Sequence, residues 1–277
     1  MDVQDGKFTT KDGYNLYWKS WIPEKPKSVI HLIHGLAEHT DRYKNIVDKL
    51  VPAGYAIFGN DHRGHGRSDG KRCHVMNFQE YIDDERQFYQ EVIQKRFPDL
   101  TYFVLGHSMG SFIAMNYAEQ FPEGIKGLVL SGTGAGPGAA INKVLIFATR
   151  IASMILPGIH VKSPLPPDFI SRDKDVVKAY IDDPYVYDII TPRLADQMNR
   201  YIAIAAQDAG KITMPVIIQY GSMDNSLSKQ ETLYASLGAS DKTIKKYDGL
   251  KHEIYNELPK DRALVLDDLH KWLEGHM

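Results

Sequence analysis

With 277 residues, 43% of them hydrophobic and 25% charged, the chain has the composition of a soluble globular protein large enough for a core domain with an insertion. A net charge of −2 without a basic stripe argues against a nucleic-acid partner, and the single cysteine, Cys73, excludes an intrachain disulfide and a zinc pattern. No apolar run reaches the roughly 20 residues that span a bilayer. Residues 1–6 lack the basic-then-apolar order of a signal peptide, so a cytoplasmic protein is expected.

Residues 7–10 and 14–22 alternate apolar and polar positions around Lys11-Asp12-Gly13, which predicts a hairpin. Residues 28–33 read as a buried strand ending at His34-Gly35, residues 42–51 as a helix and 55–60 as a second buried strand. A long amphipathic helix is expected over 77–96, stopped by Phe97-Pro98. Strand 101–105 then runs into Gly106-His107-Ser108-Met109-Gly110, with a helix over 111–120 and a strand over 125–131. A Gly-x-Ser-x-Gly motif between strand and helix puts its serine on a sharp elbow, with glycines where a Cβ would strike neighbouring backbone. Ser108 is the candidate nucleophile.

Strands and helices alternate to this point as in a parallel sheet covered on both faces. The glycine-rich run from Gly132 to Gly138 breaks the pattern, and no core strand is legible before about residue 191. We expect a core of 1–133 and 192–277 and an inserted cap (lid) subdomain over 134–191, holding the apolar helical stretch 141–156 and the proline-rich 163–167. The alternation resumes with helix 192–208, strand 214–220, helix 228–237, strand 243–247 and helix 259–274.

A serine hydroxyl needs a base, and the base needs a group to orient it. Where the serine sits on such an elbow, acid and histidine follow it in that chain order. Strand 214–220 is followed by Gly221-Ser222-Met223-Asp224, and the next strand by Asp248-Gly249-Leu250-Lys251-His252. In a parallel sheet Asp224 and His252 reach the edge that carries Ser108. Asp208 falls on a helix, Asp241 at the opposite edge, and Asp248 in a turn four residues from the histidine. Two backbone N–H groups must meet the developing oxyanion. Met109, first in its helix, and Leu36, in the turn after the 28–33 strand, are the candidates, with the His34 ring bracing that turn.

The motifs His34-Gly35-Leu36-Ala37-Glu38-His39, Asp61-His62-Arg63-Gly64-His65-Gly66-Arg67-Ser68 and Gly106-His107-Ser108-Met109-Gly110, with Gly221 to Asp224 and Asp248 to Glu253, together resemble the monoacylglycerol lipase / lysophospholipase branch of the α/β-hydrolases. The resemblance runs from near the N-terminus to the C-terminal helix and is weakest in the cap. It implies an α/β-hydrolase fold, with a mostly parallel central sheet, helices on both faces and the inserted cap. It also implies a serine ester hydrolase with Ser108 as nucleophile, Asp224 as acid, His252 as base, and Leu36 and Met109 as oxyanion donors. Glu38 and Arg42 occupy positions that help hold glycerol hydroxyls in that branch. Tyr255 stands where lipid-cleaving members tend to have a second histidine, and is a third candidate for substrate contact. Gly110-Ser111 replaces the Gly-Gly common after the Ser-Met pair. These departures keep an alternative open, a carboxylesterase for short-chain or aryl esters; an acyltransferase, a C–C hydrolase or haloperoxidase, and a non-catalytic ligand-binding protein are the further alternatives.

The expected partner is a small ester or lipid, with no metal or organic cofactor required. The 141–156 helix is a candidate for peripheral membrane contact or for a dimer contact. The Asp61 to Ser68 run reads as a loop braced by Asp61 and Arg63 rather than as a phosphate cradle.

Overall fold

The computed structural model describes residues 1–138 and 141–277. In chain order its main strands are β1 (Asp2–Thr9), β2 (Asn15–Ile22), β3 (Ser28–Ile33), β4 (Tyr55–Asn60), β5 (Tyr102–His107), β6 (Ile125–Ser131), β7 (Val216–Gly221) and β8 (Lys242–Tyr247). The main helices are α1 (Lys44–Leu50), α2 (Gln79–Phe88), α3 (Met109–Gln120), α4 (Lys143–Ile155), α5 (Lys174–Asp182), α6 (Pro192–Asp208), α7 (Gln230–Ser236) and α8 (Pro259–Gly275). The expected helix 77–96 is α2 prolonged to Arg96 through a π-turn.

One sheet holds all eight strands in the order β1-β2-β4-β3-β5-β6-β7-β8. The N-terminal hairpin joins antiparallel, β2 against β4, and every pairing from β4 to β8 is parallel. Strands β3, β4, β5 and β7 are buried along their whole length. Only residues buried on both faces can read as the continuous apolar runs seen there. One face packs under α2, α3 and α6 through residues such as Phe78, Ile82, Phe112 and Leu194. The other packs under α1 and α8 through Ile46, Leu50, Leu269 and Trp272.

From β3 the chain steps to β4 on one side, then crosses back to β5 on the other. Strand order reverses between β3 and β5, and at such a reversal the loops leaving the carboxyl ends diverge and open a crevice. The turn with Leu36 leaves β3, and Ser108 leaves β5. Both candidate halves of the site therefore meet here.

The cap boundary differs from the sequence expectation. Residues 134–138 side with the core: Gly136–Pro137 pair antiparallel with Leu227–Ser228, just after Asp224, and Ala135 N–H donates to Ser228 O. Residues 139 and 140 of the expected cap lie outside the described residues. Helices α4 and α5 stand off the sheet, and α6 packs against both α4 and α3, bridging cap and core. The cap is also tied by main chain: Tyr187 N–H donates to Ala37 O at 3.0 Å, and Glu253 N–H to Ile170 O at 2.7 Å. Among the described residues no helix is long and apolar enough to cross a membrane.

Candidate active site

Ser108 joins β5 to α3 with φ 53° and ψ −120°, a left-handed backbone that L-residues occupy only under constraint. The constraint is contact of backbone with backbone. A Cβ on Gly106 would lie 2.4 Å from Gly110 O, and one on Gly110 would lie 2.2 Å from Ile33 O and 2.4 Å from His34 O. The elbow is thus pressed against the end of β3, which places the Leu36 turn beside the serine. Cβ of Ser108 is 3.2 Å from where a Cβ on Gly35 would stand.

Met109 is the first residue of α3, so its N–H has no acceptor within the helix. Leu36 N–H donates to no group among the described residues. Its turn is held from both sides, Ala37 taking φ 60° while its carbonyl accepts from Tyr187 of the cap.

Asp224 and His252 come together as the chain order predicts. Asp224 Oδ2 is 2.8 Å from His252 Nδ1, with the carboxylate fully buried and the imidazole nearly so. Asp224 Oδ1 accepts from Ser226 N–H at 2.9 Å and from its hydroxyl at 2.6 Å. Burial alone would push the Asp224 carboxyl up, but the imidazole and the two Ser226 donors hold it at about 2. Burial opposes charge on His252, yet the Asp224 carboxylate outweighs it and raises the imidazole above 6.5. With Nδ1 facing Asp224 and Ser226, Nε2 makes no hydrogen bond among the described residues.

Two neighbours fix the plane of the ring. Phe169 of the cap lies against it at 5.2 Å between centroids, and His107 at 4.8 Å on the elbow side. Burial, and the neighbouring His252, push His107 down to about 4, so it packs as a neutral ring. Gly132 must be glycine twice over. Its φ is 54°, and a Cβ there would stand 2.8 Å from His252 Cε1.

The family profile named Hydrolase_4, serine aminopeptidase S33, matches residues 24–259. The chain belongs to this family. As an S33-family protein it is 33% identical over 274 residues to a monoacylglycerol lipase of Mycolicibacterium smegmatis, covering 98% of this chain and 96% of that one. It is 32% identical over 269 residues to human monoglyceride lipase, covering 95% and 88%. The crystal structure of Paleococcus ferrophilus monoacylglycerol lipase superposes with a TM-score of 0.81 at 28% identity, covering both chains completely. The α/β-hydrolase fold expected from the sequence motifs is the fold of the molecule.

The packing engages all three residues expected at the substrate, Glu38, Arg42 and Tyr255, with other protein groups. Glu38 has no free oxygen: Oε1 accepts from Gly35 N–H at 2.6 Å and Tyr43 hydroxyl at 2.7 Å, and Oε2 from Arg42 at 2.8 Å. Arg42 also donates to Glu253 from Nη1 at 2.6 Å and from Nη2 at 2.7 Å, with the Tyr180 ring 4.6 Å away across its face. Burial would raise Glu253, but the guanidinium holds it at about 2. These groups satisfy one another and bind the oxyanion turn to the histidine loop. Tyr255 is buried in the core under the sheet end, where its hydroxyl donates to Gln219 at 2.7 Å. It lines a small cavity with Glu38, Tyr43, His107, Glu253 and Asn256.

The Asp61–Ser68 loop is the braced turn expected. Asp61 accepts the Thr40 and Arg67 N–H groups, each at 2.9 Å, and Arg63 grips both oxygens of Asp84 at 2.7 Å. Sequence reasoning missed Ser226 and Glu253. Ser226 has no local signature. Glu253, a carboxylate beside a candidate catalytic histidine, was visible but its partner was not.

Proposed function

We propose that the chain is a serine hydrolase that cleaves carboxylic esters through an acyl-enzyme, acting on lipid esters of the monoacylglycerol or lysophospholipid type. One observation carries this reading. A serine in a strained elbow stands beside two unspent N–H donors, at the sheet edge where a buried Asp–His pair also sits. Ser108 Oγ attacks the ester carbonyl as His252 Nε2 takes its proton. Asp224 stabilises the imidazolium, and Leu36 and Met109 N–H groups receive the oxyanion. The proton then passes to the leaving alcohol, and His252 activates the water that releases the acid. Residues 141–191 serve as the cap over this site.

The lipid reading is supported by the names of the relatives and by α4. Its only buried residue is Ser153, whose hydroxyl meets Asp196 of α6 at 3.2 Å. Val144, Phe147, Met154 and Ile155 face outward, each more than 60% exposed, at helical spacing. An apolar stripe turned to solvent suits peripheral contact with a lipid surface. A second reading, short-chain or aryl esters, is favoured by the mutual engagement of Glu38, Arg42 and Glu253, which commits both carboxylates to protein donors rather than to glycerol hydroxyls.

Initial rates on p-nitrophenyl esters from acetate to palmitate, beside monoacylglycerol and methyl ferulate, test the choice. Turnover of monoacylglycerol with medium or long chains is expected, and preference for the aryl ester with monoacylglycerol untouched would select the second reading. Ser108→Ala should lose all fluorophosphonate labelling while staying folded. Hydrolysis surviving that change would refute the mechanism.

A further inference from the structure

Below the oxyanion turn runs a line of buried side chains that the reaction above does not use. It starts at Glu85 on α2, which is completely buried. Its carboxylate lies between two equally buried imidazoles: Oε2 is hydrogen-bonded to His31 Nε2 at 2.6 Å, while Oε1 stands 3.1 Å from His62 Nδ1 in close electrostatic contact, outside hydrogen-bond geometry. Burial opposes charge on this group, but the two histidines hold its carboxyl below the usual range, so it is a carboxylate.

The other nitrogen of His62, Nε2, is 3.0 Å from the carbonyl of His34. A carbonyl can only accept, so His62 Nε2 bears the proton. The backbone N–H of His62 in turn donates to His34 Nε2 at 2.9 Å, and the two rings stack with centroids 3.9 Å apart. His34 Nε2 is therefore an acceptor. Burial holds this ring far below 6.5 and hence neutral, so its one proton is on Nδ1, which donates to Gly35 C=O at 2.7 Å. The Gly35 carbonyl and the Leu36 N–H are the two ends of one planar peptide group. A hydrogen bond fixing the first sets the direction of the second, and polarises it through the amide.

We propose that Glu85, by fixing the place of the His62 ring that stacks on His34 and donates to the His34 carbonyl, is a positioning residue for the oxyanion hole, aiming the Leu36 N–H toward the tetrahedral intermediate. His31 contributes by anchoring Oε2, so that Oε1 faces His62 in one orientation. The inference rests on the reading of Leu36 N–H as an oxyanion donor.

The test compares Glu85→Gln, which keeps the shape and removes the charge, with His62→Phe, which keeps a ring to stack on His34 and removes the donor. Each is assayed on p-nitrophenyl butyrate and against two inhibitors of one alkyl chain. These are a trifluoromethyl ketone, whose serine adduct puts an oxyanion in the hole, and the matching secondary alcohol, which forms no adduct. Loss of a whole oxyanion donor costs on the order of 10²–10³ in kcat, so a misaimed one should cost roughly 10–100-fold with KM within about twofold. Ketone affinity should fall by the same factor while alcohol affinity stays constant. Asp84→Asn is the control for instability. It is buried beside Glu85 and loses a bond to Arg63, so it should lower Tm without changing the ketone-to-alcohol ratio. Should neither relay variant fold, the wild type still decides by NMR of 15N-histidine protein. The Nδ1 proton of His34 should shift when the ketone binds, while that of His276, bonded to Trp272 O at the surface, should not. A wild type that binds ketone no better than alcohol overturns the donor reading itself. Normal ketone preference in both folded variants, or an unmoved His34 proton, overturns the relay alone.

Discussion

Replacing Arg42 by Met removes the cation from between two carboxylates while keeping most of the side-chain volume. The three side chains are 9%, 5% and 6% exposed, and their bonds are 2.6 to 2.8 Å long. Deleting one partner of a buried pair leaves an uncompensated charge and costs about 3–5 kcal/mol. The acidity of Glu253 gives a second route to the figure. A carboxyl held at about 2 instead of 4.5, at about 1.4 kcal/mol per tenfold change, contributes roughly 3 kcal/mol. Because the folded value is depressed, that stability is fully present above 4.5 and is lost as pH falls toward 2. In the variant the unpaired carboxylates protonate at higher pH, so acid relieves its defect. Urea unfolding should thus show a loss of about 3–5 kcal/mol at pH 7, and a drop in Tm on the order of 10 °C. At pH 4 the difference from wild type should shrink by roughly 1 kcal/mol or more. A loss under about 1 kcal/mol at pH 7, or one that grows in acid, would refute the reasoning.

Three other outcomes are expected. Asp224→Asn should cut kcat by about 10³–10⁴. Since His252 works only when neutral, and Asp224 raises it above 6.5, the acidic limb of kcat/KM against pH should move to lower pH in this variant; an unmoved limb contradicts the pairing. Gly110→Ala should abolish soluble expression, its Cβ falling 2.2 Å from Ile33 O, whereas Gly210→Ala, with its nearest neighbour at 3.8 Å, should leave Tm within a few degrees, as differential scanning fluorimetry can check. Val144→Asp with Phe147→Asp should slow hydrolysis of monoacylglycerol in vesicles several-fold while leaving soluble p-nitrophenyl acetate rates intact, and equal slowing of both substrates would deny α4 a role at the lipid surface.

The candidate catalytic side chains were legible because each stands just past a strand whose apolar run is unmistakable, and parallel strands deliver their ends to one edge. The strained serine was legible because Gly106 and Gly110 are needed only where backbone touches backbone. What could not be read was which side chains satisfy one another across distant segments. Arg42 and Glu253 are 211 positions apart, and nothing local tells a glutamate offered to substrate from one spent on an arginine. The direction of Tyr255 was illegible for the same reason, since its hydroxyl bonds to Gln219 of β7. The pairing of Gly136–Pro137 with Leu227–Ser228 is equally non-local. The glycine run signals a break in the pattern, but not that its first residues return to the core.

The main-chain ties of the cap to the core, which also include Thr191 N–H to Cys73 O at 3.1 Å, divide it into parts with unequal freedom to change. The segment around Phe169 and Ile170 reaches the histidine loop, and that from Asp183 to Tyr187 reaches the oxyanion turn, where Asp183 also meets His39 at 2.9 Å. Helix α4 makes no comparable tie. Transplanting a lid from another hydrolase at the obvious glycine hinge would exchange these supports along with the pocket walls, and would be read wrongly as altered selectivity. A graft confined to the neighbourhood of α4 leaves both supports native, and there the surface can diverge without retuning the chemistry beneath it.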